Sequence, residues 1–189
     1  MTRKHALAAL AAARSLRETV EHLGEDMQPI LSVDGTEHPL VVVSFDDVEH
    51  LGDVALIAAR AESCVALVFV SDAYVHLDAS PEEAASHREG EFQEAWERGE
   101  REDLSESIVV VAAYRDGAVE MLGWPYERTE KGFAWGDPVE SQFSDGPIQQ
   151  TLRRAFLEAV PVALSPDGLA AAFAMAGFAA SPWIDASRN

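Results

Sequence analysis

The stretch Val65-Ala-Leu-Val-Phe-Val-Ser-Asp-Ala-Tyr-Val-His-Leu77 decides the fold. It is rich in β-branched and aromatic residues and contains neither Gly nor Pro, a composition that favours a strand over a helix. Read at a period of two, the odd-numbered residues form an almost wholly apolar face. The even-numbered face is apolar at its start and then polar at Asp72, Tyr74 and His76. This pattern predicts a central strand, buried on both faces at its start and on one face at its end.

The amino-terminal segment, residues 3–23, has the spacing of an amphipathic helix whose charges lie opposite an apolar stripe. Its apolar run is short and stops at Arg14, without a clean cleavage site, so we expect a structural helix rather than a signal peptide. No stretch of the sequence is long enough to span a bilayer. These features predict a cytoplasmic protein. The expected stripe comprises Leu7, Leu10, Ala13, Leu16, Val20 and Leu23.

A hairpin and a second helix are predicted before the central strand. Asp34-Gly35 separates two apolar runs, which is a hairpin signal, and the loop should extend through His38. Asp46 lies three residues before Glu49, the spacing of a capping box. The apolar residues that follow recur at helical spacing, so a helix is expected over about 47–61.

An acidic segment, residues 78–106, follows the central strand. It opens with Ser80-Pro81, a favourable helix start, and only Phe92 and Trp96 give the helix an apolar contact line. We therefore expect a solvated helical insert at about 80–104, lightly attached to the core. Five of its glutamates cannot all point inward and are candidate binding residues: Glu89, Glu91, Glu94, Glu97 and Glu100.

The remaining chain predicts a second hairpin and two helices. Asp116-Gly117 joins the apolar runs 107–114 and 119–124, and a further turn leads to a last strand at 133–135. Helices are expected to begin at Pro147 and at Pro166.

The predicted element order is α-β-β-α-β-(α)-β-β-β-α-α. Strands joined by hairpins imply an antiparallel sheet, so the fold class is α+β: a central antiparallel sheet of five to six strands with flanking helices. At 189 residues, the chain is expected to form a single domain over 1–189 that carries the acidic insert.

Two resemblances accompany this order. The succession of elements is similar to that of profilin-like and roadblock-type domains, with an insertion after the third strand. Such domains are mostly scaffolding or dimerising modules, which implies that a homodimer is one expectation. The Val-Ser-Asp-Ala-Tyr-Val segment, the acidic insert and the Ile-Val-Val-Val-Ala-Ala-Tyr-Arg-Asp-Gly hairpin (65–117) resemble short hypothetical proteins of actinobacteria and their phages. That second resemblance implies no mechanism.

The charge of the chain limits its partners. With 33 acidic and 14 basic residues, the net charge of -19 would repel nucleic-acid phosphates and anionic membranes. We expect no direct nucleic-acid or membrane binding. An acidic face that meets a basic protein is one interpretation, and solubility or a salt-rich or GC-rich source is the alternative. Cys64 is the only cysteine, so neither an internal disulfide nor a thiolate cluster can form, and a small buried thiol is expected.

The polar residues that could carry chemistry fall into two groups. Asp72, Tyr74 and His76 project from one side of a strand, and with Asp78 beyond, His76 could be a general base or half of a metal site. The alternative is a half-exposed strand end whose polar residues face water. His87 and Glu91 lie one helical turn apart and could bind a metal, form an ion pair or belong to a solvated face. No cofactor motif is present.

Aromatic residues form the other signal. Trp124, Tyr126 and Trp135 lie close in sequence on what should be an exposed edge hairpin. Those that reach the surface are candidate anchors for a protein partner, because Trp and Tyr dominate binding hot spots.

Two functions of different class follow. The favoured hypothesis is a non-enzymatic intracellular interaction protein, either an adaptor or an acidic inhibitor or immunity-type protein for a basic partner. The alternative is a small metal-dependent enzyme that uses His76 with Asp72 or Asp78.

Overall fold

The computed structural model describes residues 4–23, 27–75, 105–140 and 146–182. Its strands form one sheet flanked by helices, and the α+β class is as predicted. The helices are α1 (Lys4–Leu23), α2 (Leu51–Ala59), α3 (Pro147–Glu158) and α4 (Pro166–Met175), with a short 3-10 turn at Val48–His50. The strands are β1 (Ile30–Asp34), β2 (Pro39–Ser44), β3 (Ala66–Val75), β4 (Ser105–Tyr114), β5 (Val119–Thr129), β6 (Gly132–Trp135), β7 (Val139–Glu140) and β8 (Ala179–Pro182).

Strand β3 lies at the centre of the sheet. The strand order is β6-β5-β4-β3-β1-β2-β8, with β7 also paired to β5, and all these pairings are antiparallel. Residues 66–70 of β3 are buried on both faces. The period-two reading of this strand is therefore confirmed, because neighbours on both edges and helices on both faces exclude water from its first half.

The sheet separates two apolar cores. On one face, Leu67 and Phe69 of β3 pack with α2, α3 and α4. On the other face, Val68 and Val70 pack with α1 and with β4 and β5. Within the residues described, no helix is both long and apolar enough to cross a membrane.

The sheet has eight strands rather than the five to six expected. The additional strands are β7, which has two residues, and β8, which follows the last helix. Strand β7 pairs with β5, and β8 pairs with the outer edge of β2. Segments this short show no alternation of apolar and polar residues, so the sequence does not predict them as strands. The helical insert predicted at about 80–104 lies outside the described residues.

The local turn signals located the hairpins correctly. The first hairpin loop spans residues 35–38, and the second contains Gly117 in the left-handed region, at φ +90°. The cap of the second helical segment differs from the prediction by one residue. The side chain of Asp47, rather than that of Asp46, accepts a hydrogen bond from the backbone N–H of Glu49, at 2.9 Å.

Helix α1 presents the predicted face to the sheet in part: Leu10 and Ala13 are buried, and Leu16 and Val20 are half-buried against the core. Leu7, expected in the apolar stripe, is 51% exposed, whereas Arg17, expected on the polar side, is 1% exposed. The buried residues are Ala6, Leu10, Ala13 and Arg17, a stripe rotated towards the arginine. The rotation follows from charge pairing, because Arg17 meets a carboxylate of the sheet.

Candidate functional site

At the predicted polar end of β3, Asp72 forms a half-buried ion pair with Arg17 of α1. The hydroxyl of Tyr126 donates its proton to the Asp72 carboxylate and lies 2.6 and 2.8 Å from its two oxygens. The Nε of Arg17 lies 2.9 Å from Oδ2 of the same carboxylate. The carboxylate of Asp72 points towards α1, and 22% of the side-chain surface stays exposed, so Asp72 is half-buried. The solvated strand end that was one of the two expectations stays a prediction for Tyr74 and His76, whose side chains lie outside the described residues.

Burial raises the pKa of Asp72 above that of an ordinary aspartate, and the Tyr126 hydrogen bond and the Arg17 charge offset this only in part. Burial also raises the pKa of Tyr126, so its hydroxyl stays protonated and remains a donor. With both oxygens of Asp72 engaged, this carboxylate is poorly placed to bind a metal or to accept a substrate proton.

The other predicted metal and catalytic residues are not described. The side chain of Tyr74 and the whole of His76, Asp78, His87 and Glu91 lie outside the described residues. In the part of the chain that is described, no three His, Cys, Asp or Glu side chains come together as a metal site. The candidate binding residues outside the described part are Glu89, Glu91, Glu94, Glu97 and Glu100.

Two tryptophans beside α1 hold an arginine of the same chain. The ring centroids of Trp124 and Trp135 lie 5.4 Å apart, and we call this pair the tryptophan clamp. The Cζ of Arg14 lies 4.9 Å from the centroid of Trp124 and 5.0 Å from that of Trp135. Both distances are within the range of cation–π attraction. The clamp therefore already holds a guanidinium group.

Hydrogen bonds fix the tryptophan clamp in place. The indole N–H of Trp135 donates to the carboxylate of Glu18 at 2.9 Å, and that of Trp124 donates to the carbonyl of Gly136 at 2.7 Å. Arg14 lies 3.3 Å from the same Glu18 carboxylate. The arrangement combines two aromatic faces with one acidic group, which is the composition of a cation-binding site.

Below the clamp, a second arginine is held in the same manner. The Cζ of Arg17 lies 5.1 Å from the ring of Phe133 and 5.7 Å from that of Tyr126. Tyr126 is only 3% exposed, so it is a core residue and not the exposed anchor predicted from its place in the hairpin. Helix α1 covers it. Trp124 and Trp135 are half-buried, and their binding role stays a prediction.

Arginines and carboxylates alternate along this face. Glu21 lies 3.1 Å from Arg17 and 3.4 Å from Arg128, and Arg128 lies 3.1 Å from Glu106. Together with Arg14, Glu18 and Asp72, the face contains three arginines and four carboxylates. It is built from groups that bind guanidinium by ring stacking and by charge.

A groove on the same face of the sheet was not predicted. It is a cavity of about 430 Å³ between α1 and the strands β1 and β2, which we call the α1 groove. Its lining is mostly apolar, with polar groups at the end near the start of α1. There, His5 Nδ1 lies 2.9 Å from one oxygen of Asp34, and the hydroxyl of Ser32 donates to the other oxygen at 2.5 Å.

Only one residue of this cluster could be located from the sequence, and its element was assigned differently. Asp34 was assigned to the hairpin turn, whereas it ends β1 and is 4% exposed, with its side chain towards His5. The register of β1 against β2 shifts between Val33 and Asp34. His5 belongs to another element, and no spacing connects it with Asp34.

Comparison with known proteins gives no relative: no family model, no curated protein and no solved structure matches the chain.

Proposed function

We propose that the protein is a non-enzymatic interaction protein for a basic partner, acting as an adaptor or as an acidic inhibitor or immunity-type protein. In this proposal, the tryptophan clamp receives an arginine or lysine side chain of the partner. The observation that carries the proposal is the stacking of Arg14 against both tryptophan rings, because it supplies an internal example of the ligand.

The energetics require more than the clamp. A cation over an aromatic ring contributes about 0.5–1 kcal/mol at an exposed site and more when water is excluded. One such contact does not hold a protein partner, but tryptophans in a partly buried setting are typical of the few residues that dominate an interface. The carboxylate of Glu18, already within reach of Arg14, would add a charged hydrogen bond to the incoming cation.

The negative charge of the whole chain would speed its association with a basic partner. A net charge of -19 attracts cations over a distance of about one Debye length, roughly 8 Å at physiological salt. The glutamates of the 78–106 segment contribute to this field by their charge. Association should therefore slow as salt is added, while the contacts in the clamp mainly set the dissociation rate.

The enzyme alternative has less support. It requires a carboxylate beside His76, and Asp72 is engaged by Arg17 and Tyr126. A pairing of His76 with Asp78 stays a prediction, because both residues lie outside the described part of the chain. The homodimer and the cytoplasmic location also stay predictions.

The proposal is tested by calorimetric titration with two peptides, one of alternating arginine and alanine and one with citrulline in place of each arginine. Citrulline keeps the shape of the side chain and removes its charge. We expect saturable binding of the arginine peptide only, weakened severalfold by Trp124→Ala.

Phe156→Ala is the matched control, because the ring of Phe156 also stacks on an arginine, Arg115 at 4.9 Å, but belongs to the core on the opposite face of the sheet. Circular dichroism verifies that both variants are folded. Equal binding of the two peptides, or equal loss in the two variants, would exclude the clamp as the binding site.

A further inference from the structure

The α1 groove has the size and lining of a small-molecule site. Its volume of about 430 Å³ falls in the range of ligand pockets, roughly 300–1,000 Å³. Alanines on α1 form one wall, since the small side chains of Ala9 and Ala12 leave the space open, and Ile30 and Val42 form part of the floor. An aliphatic chain would fit this apolar lining.

At the polar end of the groove, the ammonium group of Lys4 has donor capacity that no described residue uses. The ammonium group of Lys4 donates to the carbonyl of Thr36 at 2.7 Å, which leaves two of its three N–H bonds. His5 directs Nδ1 towards Asp34, and in the neutral ring that donates from Nδ1 the other nitrogen, Nε2, is an acceptor.

We propose that the α1 groove binds an aliphatic carboxylate of medium chain length, with its tail along the alanine wall of α1 and its head group at Lys4. The hydrogen bonds that Asp34 accepts from Ser32 and His5 weaken its repulsion of a carboxylate without removing it, so the attraction must come from the ammonium group of Lys4. This site is separate from the tryptophan clamp and does not depend on the proposed function.

Three ligands with the same tail distinguish this head group from the others that the groove could accept. Decanoate, decanol and decyltrimethylammonium are titrated by calorimetry below their aggregation concentrations. We expect decanoate to bind at one site per chain and at least about tenfold more tightly than decanol, a difference of about 1.4 kcal/mol. Glu37 lies at the same rim, so preference for the ammonium ligand would reverse the assignment of the head group and overturn the proposal.

Substitutions in α1 test the location. Ala12→Leu should fill the groove and abolish binding of decanoate, whereas Ala11→Leu, on the adjacent exposed position that does not line the groove, should leave it unchanged. Lys4→Met should weaken decanoate about tenfold and leave decanol unaffected. Equal binding of decanoate by the two leucine variants would overturn the proposal. Trp124→Ala should not alter decanoate binding, so failure here is distinguishable from failure of the clamp.

Discussion

The guanidinium group of Arg17 and the carboxylate of Asp72 lie 2.9 Å apart between α1 and the central strand. Near the other end of α1, His5 lies 2.9 Å from Asp34 of β1. Between these two pairs, the buried apolar side chains of the helix are two alanines, Ala6 and Ala13, and one leucine, Leu10. Polar pairs therefore fix the position of α1 on the sheet, and this position in turn creates both the tryptophan clamp and the α1 groove.

A double-mutant cycle measures how Arg17 and Asp72 depend on one another. Arg17→Met leaves the half-buried Asp72 carboxylate without its cation and should cost about 1–3 kcal/mol of unfolding free energy. Asp72→Asn should cost less, because Glu21 remains 3.1 Å from Arg17. The double variant should be more stable than the sum of the two losses predicts, by roughly 0.5–3 kcal/mol. Urea denaturation provides the values.

The exposed pair of Arg154 and Glu158, four residues apart on α3, is the matched control for this cycle. Its coupling should be too small to measure, because water screens both groups. Additive losses at Arg17 and Asp72 would show that this pair does not position α1.

The pH dependence of stability should carry the signature of Asp72. Because burial raises its native pKa above the ordinary value of 3.8, the native state retains the Asp72 proton to higher pH than the unfolded chain does. Protonated Asp72 therefore stabilises the native state. This contribution is complete below the pKa that Asp72 has in the unfolded chain and is lost as pH rises through its native pKa. The unfolding free energy of the parent protein minus that of Asp72→Asn should therefore fall as pH rises from about 3.8 towards neutrality. A difference that grows with pH would mean that the charge of Arg17 lowers the Asp72 pKa by more than burial raises it.

Cys64 should be unreactive in the folded protein. It is buried, and burial raises its pKa to about 12, although the nearby charge of Arg115 acts in the opposite direction. The thiolate is the reactive form, so at pH 8 labelling by a disulfide reagent should be at least about a thousandfold slower than in the unfolded chain. The chain has one cysteine, so the absorbance of the released thiol reports this site alone. Rapid labelling under native conditions would contradict the assignment of Cys64 to the core.

The parts of the fold that the sequence predicted are those with local signals. The alternation of β3 and the turns at Asp34-Gly35 and Asp116-Gly117 are each encoded within a few residues, and the structure has all three. The face of α1 was predicted only in part, because the burial of Arg17 depends on Asp72 and Tyr126, which are distant in sequence. Apolar periodicity contains no information on a buried arginine whose partner lies in another element.

For the candidate sites too, local features were predicted from the sequence and contacts between distant elements were not. The sequence identified Trp124 and Trp135 by residue type, but the guanidinium group between them and α1 could not be inferred without the packing of the helix. The α1 groove exists because α1 covers β3, β4 and β5 and leaves part of β1 and β2 open. This partial coverage arises when α1 packs on the sheet, so no single segment of the sequence predicts it.

The most direct measurement is the affinity of the arginine peptide for Arg14→Ala compared with Arg154→Ala. Both arginines lie four residues before a glutamate partner, so the two substitutions change the local charge alike, and only Arg14 stacks on the tryptophans. Arg14 competes with the peptide for the tryptophan clamp. Removing it should tighten peptide binding about fivefold, which corresponds to roughly 1 kcal/mol of binding free energy. Arg154→Ala should bind as the parent protein does. Equal affinities for the two variants, or weaker binding by Arg14→Ala, would contradict the account of a clamp that receives a cation from a basic partner.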